Sequence, residues 1–288
     1  MSRAAVGVLG ASSFVGEQLI ARLRRDNVPV EAFSRKPQAP ARPGIRWHRL
    51  TEKHPSVTGP IDSWLCAAPI WLLQEHYPLL ESCGARRIVA LSSTSRFSKT
   101  ASSDQAEVAM AARLLQGEED LQNWAAATGA DWLILRPTLI YGLGRDKNIT
   151  EIARFIRRFG FFPLLGSAGG LRQPVHVEDV AQAGVTALNR PTVANRAYTV
   201  SGGETLAYRE MVCRVFAALH RAPRLLPIPL PLFRLALAAM RLLPQYRHWS
   251  VAMAERMNSD LVFDPAEAVR DLAFAPRPFR PAPRDIAP

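Results

Sequence analysis

Short apolar runs alternate with helix-length amphipathic stretches through the first two-thirds of the chain. AAVGVLG reads as a strand, and FVGEQLIARLRRD as a helix with its apolar residues at helical spacing. VEAFSR, IRWHRL, SWLCAAP, RIVALSS and DWLILRPT read as further strands, with helical stretches between several of them. These runs are almost continuously apolar, the pattern of strands covered on both faces. Strand–helix alternation at this spacing predicts an α/β fold built on a doubly wound parallel sheet. After Gly170 the texture changes. QPVHVEDVAQAGVTALNR reads as a short strand leading into a helix, and RAYTVSGGETLAYREMVCRVFAAL as a strand, a glycine turn and a helix begun at Thr205. The tail from Arg221 is rich in proline and arginine, the texture of a small C-terminal lobe.

The first strand runs into GASSFVGEQL, where Gly10 and Gly16 bracket Ser13. A strand, a glycine turn and a helix start together present backbone N–H groups to a pyrophosphate. Gly10 permits the tight turn, Gly16 lets the helix pack closely, and Ser12, Ser13, Phe14 and Val15 line the loop between them. Its place after an apolar strand and before an amphipathic helix is the context of a dinucleotide-binding turn in a Rossmann-type fold. A NAD-binding unit carries Asp or Glu at the end of its second strand for the ribose 2′-hydroxyl. This chain has Ser34, Arg35 and Lys36 there, and its nearby acid, Glu31, stands at the strand's start. A hydroxyl and two cations suit a 2′-phosphate, so NADP(H) is favoured over NAD(H). The expected division is a dinucleotide-binding domain over residues 1–170, rejoined by about 171–200, and a small α-rich substrate lobe over 201–288.

The formal net charge of +11 calls for an anionic partner. Its arginines are spread along the chain, with no zinc finger, basic helix or aromatic-interleaved RNA motif, which argues against nucleic acid and for a small anionic metabolite. Three cysteines without a framework spacing read as reduced thiols, and the N-terminus enters its first strand too soon for a signal peptide. The expected location is the cytoplasm. Leu225–Pro244 is the most hydrophobic stretch, with Arg234 and Arg241 two helical turns apart. Burial in the lobe or in a homodimer contact is the favoured reading, and a peripheral place at the inner face of a membrane is its alternative. The histidines and carboxylates show no metal-ligand spacing, so no metal is expected.

In order along the chain these motifs resemble the short-chain dehydrogenase/reductase superfamily, and more closely its extended and atypical branch of NAD-dependent epimerases and dehydratases of nucleotide sugars. GASSFVG resembles the family's glycine turn, with Ser13 at its middle glycine, and CAAP resembles the adenosine segment, which implies Ala67 and Ala68 beside the cofactor. LSST resembles the end of the fifth strand, which implies Ser92 near the cofactor and Thr94 as the catalytic hydroxyl. LILRPTLIYG resembles the nicotinamide loop, which implies Arg136, Pro137 and Thr138 as its lining. The branch's acid/base is a Tyr followed four residues later by a Lys that lowers the tyrosine's pKa. Placing the branch's downstream Glu on Glu118 or Glu119 puts the Tyr position at Met110 or Ala111 and the Lys position at Leu114 or Leu115. The dyad is missing. Tyr141, Lys99 and His176 are the substitutes weighed, Tyr141 foremost beside Thr94, whereas Asp179 reads as orienting its helix. Two readings follow: an NADP(H)-dependent oxidoreductase acting on a nucleotide-sugar-like or other anionic metabolite, or a non-catalytic NADP(H)-binding sensor or assembly subunit.

Overall fold

The structure is a computed structural model, and it describes residues 4–35, 43–50, 57, 59–229 and 256–287. Its centre is a seven-stranded, fully parallel sheet. The strands are β1 (Val6–Leu9), β2 (Val30–Ser34), β3 (Ile45–Arg49), β4 (Ser63–Cys66), β5 (Arg87–Leu91), β6 (Asp131–Pro137) and β11 (Arg196–Val200), in the spatial order β11-β6-β5-β4-β1-β2-β3. The order reverses between β1 and β4, and a doubly wound sheet opens its crevice at that switch point.

One face of the sheet is covered by α1 (Phe14–Arg25) and α6 (Val177–Leu188), packed on each other and on the apolar side chains of β1, β4 and β6. The other face is covered by a 3-10 turn over Ile70–His76 and the long helix α4 (Gln105–Thr128), with Trp64, Leu80, Leu121 and Ile134 between them. Two short helices, α2 (Tyr77–Ser82) and α3 (Ser95–Ser98), follow β4 and β5. Helix α4 starts where Asp104 accepts from the Ala106 N–H and stops at Gly129, which takes a left-handed φ of 73°.

The lobe gathers around a second core of α5 (Ile149–Phe159) and α7 (Tyr208–Ala218). Three pairs of short strands tie it together with the sheet's rim: β7 (Ile140–Tyr141) lies parallel to β10 (Val175–His176), β8 (Phe162–Leu165) parallel to β13 (Leu225–Ile228), and β9 (Leu171–Arg172) antiparallel to β12 (Leu206–Ala207). The helix expected from Thr205 therefore begins at Tyr208, because Leu206 and Ala207 pair with β9 first. The boundary at residue 201 is also too simple. Helix α8 (Ala266–Leu272) returns to the main sheet, where Ala268, Leu272 and Phe274 join the α1/α6 core. Of the Leu225–Pro244 segment, Leu225–Ile228 forms β13, and residues 230–255 lie outside the described residues. Among the described residues no helix is long and apolar enough to cross a membrane.

Candidate functional site

The crevice opens where β1 passes into α1. Gly10 has φ +73°, and a Cβ there would lie 2.5 Å from the Ala68 backbone nitrogen. A Cβ on Gly16 would lie 2.3 Å from the Gly10 carbonyl oxygen. Backbone crowding of this kind leaves room for glycine alone. Ser13 caps α1: its Oγ accepts from the Gly16 N–H at 3.0 Å and donates to the Ala67 carbonyl at 3.2 Å. The turn, the helix start and the Ala67–Ala68 segment are thus one cradle. Ser12 Oγ lies 2.6 Å from Ser34 Oγ, which brings the turn to the end of β2. Arg35, exposed, follows Ser34 at that strand end; Lys36 lies outside the described residues. Glu31 is occupied elsewhere, bonded to Arg46 at 3.1 Å and to His48 at 2.5 Å across β2 and β3. Phe14 is half-buried with the Arg145 guanidinium 6.0 Å from its ring centre, whereas the Val15 side chain packs into the core and leaves only its backbone to the turn.

The ends of β5 and β6 form the second part of the crevice. Thr94 is buried, and both its N–H (3.1 Å) and its Oγ1 (3.2 Å) donate to the Pro137 carbonyl. Its hydroxyl hydrogen is spent there, and its oxygen lone pairs are left to accept. Ser92 Oγ donates to Glu118 Oε1 at 2.5 Å. Glu118, on α4, is fully buried and also binds the Arg136 guanidinium, through Nε at 3.0 Å and Nη2 at 2.5 Å, and the Arg96 Nη1. The residues expected to line the cofactor, Arg136, Pro137 and Thr138, each have a partner within the protein. Arg136 turns to Glu118, the Pro137 carbonyl takes Thr94, and Thr138 Oγ1 donates to the Gln173 carbonyl at 2.5 Å.

Tyr141 is a core residue. It is buried edge-on against His176 and Phe279, with ring centres 5.1 and 4.8 Å away, and burial pushes its hydroxyl pKa up, helped by Asp285 and Asp179. His176 is likewise structural: Nδ1 accepts from the Glu178 N–H at 3.2 Å as the cap of α6, and Nε2 lies 3.1 Å from Asp285 Oδ1. That places the proton on Nε2. Asp179 grips the tail through the Arg277 N–H and Nε, both at 2.9 Å. Lys99 Nζ is 3.2 Å from Glu107, a carboxylate shared with Arg256; burial and Arg256 hold its pKa below the usual lysine value.

Burial pushes the Asp285 carboxyl up, but His176 and the N–H groups of Ala282 and Leu143 outweigh it, so its pKa lies below the ordinary aspartate range. A depressed folded-state pKa gives stability that is whole above the unfolded value, about 3.9, and lost as pH falls through the folded value. Asp285→Asn is therefore expected to cost stability at pH 7 and much less at about pH 3. Urea unfolding of both proteins at the two pH values measures this, and an equal gap at both would refute the assignment.

Residues 76–201 match the family model described as "NAD dependent epimerase/dehydratase family". That match covers less than half of the chain. UDP-glucose 4-epimerase of Vibrio cholerae is 27% identical over 120 residues, which are 42% of this chain and 37% of that protein. NADH dehydrogenase [ubiquinone] 1 alpha subcomplex subunit 9, mitochondrial, of Arabidopsis thaliana is 25% identical over 189 residues, 62% of this chain and 46% of that protein. The chain thus matches less than half the length of these relatives. In fold it is similar to UDP-N-acetylglucosamine 4-epimerase from Bacillus cereus, with TM-score 0.70, 15% identity, and coverage of 98% of this chain and 94% of that one. It is also similar to UDP-glucuronic acid 4-epimerase from Bacillus cereus in complex with NAD, with TM-score 0.69, 13% identity, and coverage of 98% and 95%.

Glu118, rather than the exposed Glu119, is the residue that turns inward from α4. Of the dyad positions the resemblance implies, that choice selects Met110 and Leu114, one helical turn apart on the same face. Met110 is half-buried and Leu114 buried, both packed in the core layer beneath α4. Sequence reasoning used Glu118 as an alignment mark and missed its role as the hub for Ser92, Arg96 and Arg136. The signal was present: Ala111, Leu114, Gly117 and Leu121 form a buried stripe, and Glu118 sits within it. A carboxylate in such a stripe needs cationic partners.

Proposed function

We propose that the protein is an NADP(H)-binding, epimerase/dehydratase-like oxidoreductase that acts on a nucleotide-sugar-like or other anionic metabolite without a Tyr–Lys pair. The supporting observation is the Gly10/Gly16 cradle at the start of α1, open at the switch point of the sheet, with Ser34 and Arg35 at the adjoining strand end. The N–H groups of the turn would hold the pyrophosphate and Arg35 the 2′-phosphate. A bound nicotinamide supplies a hydride acceptor or donor. The protein's own part is to orient the substrate: the free lone pairs of Thr94 suit a substrate hydroxyl, and a proton then leaves through water, since Met110 and Leu114 carry none.

A second reading, a non-catalytic NADP(H)-binding sensor or assembly subunit, is favoured by those same two apolar side chains. The relatives named as NADH dehydrogenase subunits point the same way. NADPH is expected to raise the melting temperature more than NADH, and Arg35→Ala to erase that difference, which a thermal-shift titration reads directly. An intact NADPH preference in the variant refutes the 2′-phosphate role. Hydride exchange from labelled NADPH across a panel of nucleotide sugars, ketones and aldehydes, abolished by Thr94→Ala, selects the enzyme. Binding without exchange across the panel favours the sensor.

A peripheral membrane place and a homodimer stand beside either reading. Phe159 and Leu226 are each about half exposed, and Arg158 lies against the Phe159 ring. Vesicle flotation and light scattering test the two.

A further inference from the structure

Arg96 and Arg136 share one buried carboxylate, and neither is saturated by it. Arg96 offers Glu118 its Nη1, and Arg136 its Nε and Nη2. The remaining nitrogens, Arg96 Nε and Nη2 and Arg136 Nη1, have no protein acceptor among the described residues, and the two side chains are 18% and 16% exposed. Two guanidinium groups against one carboxylate leave a net positive charge at the crevice. Both lie over the ring of Phe97, at 4.9 and 5.2 Å from its centre, and that ring is itself 46% exposed. Arg96 comes two residues after Thr94, at the same strand end.

The chemistry of this cluster is that of an anion fork. Guanidinium N–H groups meet carboxylate or phosphate oxygens in pairs, and the bonds are charge-assisted. Glu118 repels an incoming anion, but its oxygens already face four donors from three side chains and it is outnumbered by the two cations. Its second effect is favourable, because it holds both arginines in place before a ligand arrives and so lowers the cost of ordering them.

We infer that Arg96 and Arg136 form a subsite for a carboxylate or phosphate group on the substrate, next to the Thr94 hydroxyl, with Arg96 the residue that selects for it. The inference rests on the reading of this crevice as the substrate site and narrows it: the substrate carries an anion close to its reacting carbon, apart from any diphosphate it has elsewhere.

Inorganic phosphate and glucuronate, titrated separately by calorimetry into the protein with and without saturating NADP⁺, test it and tell the two anions apart. The expected result is that one or both bind, about tenfold more weakly to Arg96→Gln and with a smaller loss to Arg96→Lys, which keeps the charge but not the fork. Arg256→Gln, which alters the neighbouring Glu107 cluster, is expected to change affinity by less than about threefold. Equal affinity in wild type and Arg96→Gln, or no binding of either anion to wild type, overturns the inference. Should Arg96→Gln not fold, the Arg96→Lys comparison decides on the same terms. The NADPH thermal shift is expected to be the same in all four proteins. Its absence from wild type would defeat the cofactor reading alone, while the anion titrations would still decide the subsite.

Discussion

Arg87→Met is expected to cost about 3 kcal/mol of folding stability, although Arg87 lies at the opposite end of β5 from the crevice. The side chain is buried and enters the C-terminal end of α6, where Nε donates to the Leu188 carbonyl at 3.0 Å. Nη2 is shared among the carbonyls of Ala187 (2.9 Å), Arg190 (2.6 Å) and Val193 (2.6 Å), and Nη1 reaches Asp131 at 3.2 Å. Helix α6 has no basic residue in its own last turn, so this guanidinium, supplied by a neighbouring strand, meets both the unpaired carbonyls and the negative end of the helix. Methionine fills the space and bonds none of them. For a chain of 288 residues the loss corresponds to a fall in melting temperature of about 5 °C. Asp131→Asn is the control: that partner is 44% exposed, so its charge is screened and the change is expected to stay below about 1 kcal/mol. Denaturant unfolding decides, and an Arg87→Met protein within about 1 kcal/mol of wild type would show that water replaces the guanidinium at no great cost.

The sheet and the glycine cradle were legible in the sequence because each is set by local pattern. A continuous apolar run can only be a covered strand or a buried helix, and β1, Gly10 and the amphipathic α1 lie consecutively. The candidate site was legible only in part, because its side chains are fixed by partners far away in the chain. Tyr141 looks available on its loop, yet Phe279 from the tail closes over it. Arg136 lies near the end of β6, a strand that should end at the cofactor, but Glu118 on α4 draws its head group aside. The start of α7 was misplaced by three residues because β12 (Leu206–Ala207) is only two residues long, too short to leave a period-2 signature in the sequence. The return of α8 to the main core has the same cause: nothing near Ala268 and Leu272 in the sequence says which core they join.

Glu118→Ala is expected to be the most damaging single change at the crevice, costing about 3–5 kcal/mol, because it strips the shared counterion from two partly buried cations and leaves Ser92 Oγ unpaired. Glu118→Gln keeps a hydrogen-bond acceptor for one arginine and is expected to lose less. The informative protein is the triple variant Glu118→Leu, Arg96→Met, Arg136→Met. Ion clusters removed whole and replaced by apolar groups of similar size often leave stability unchanged or raise it, since the cost of drying three charges disappears with them. Urea unfolding of the triple variant is therefore expected to return most of what Glu118→Ala loses. Its calorimetric response to phosphate and glucuronate is expected to vanish, while its NADPH thermal shift, set at the distant glycine turn, is expected to persist. A triple variant as unstable as Glu118→Ala would mean that the cluster holds α4 to the strand ends and is explained by folding alone. Recovered stability with lost anion binding would mean that the chain maintains three charges there against their own desolvation cost, and the remaining reason for them is what they bind.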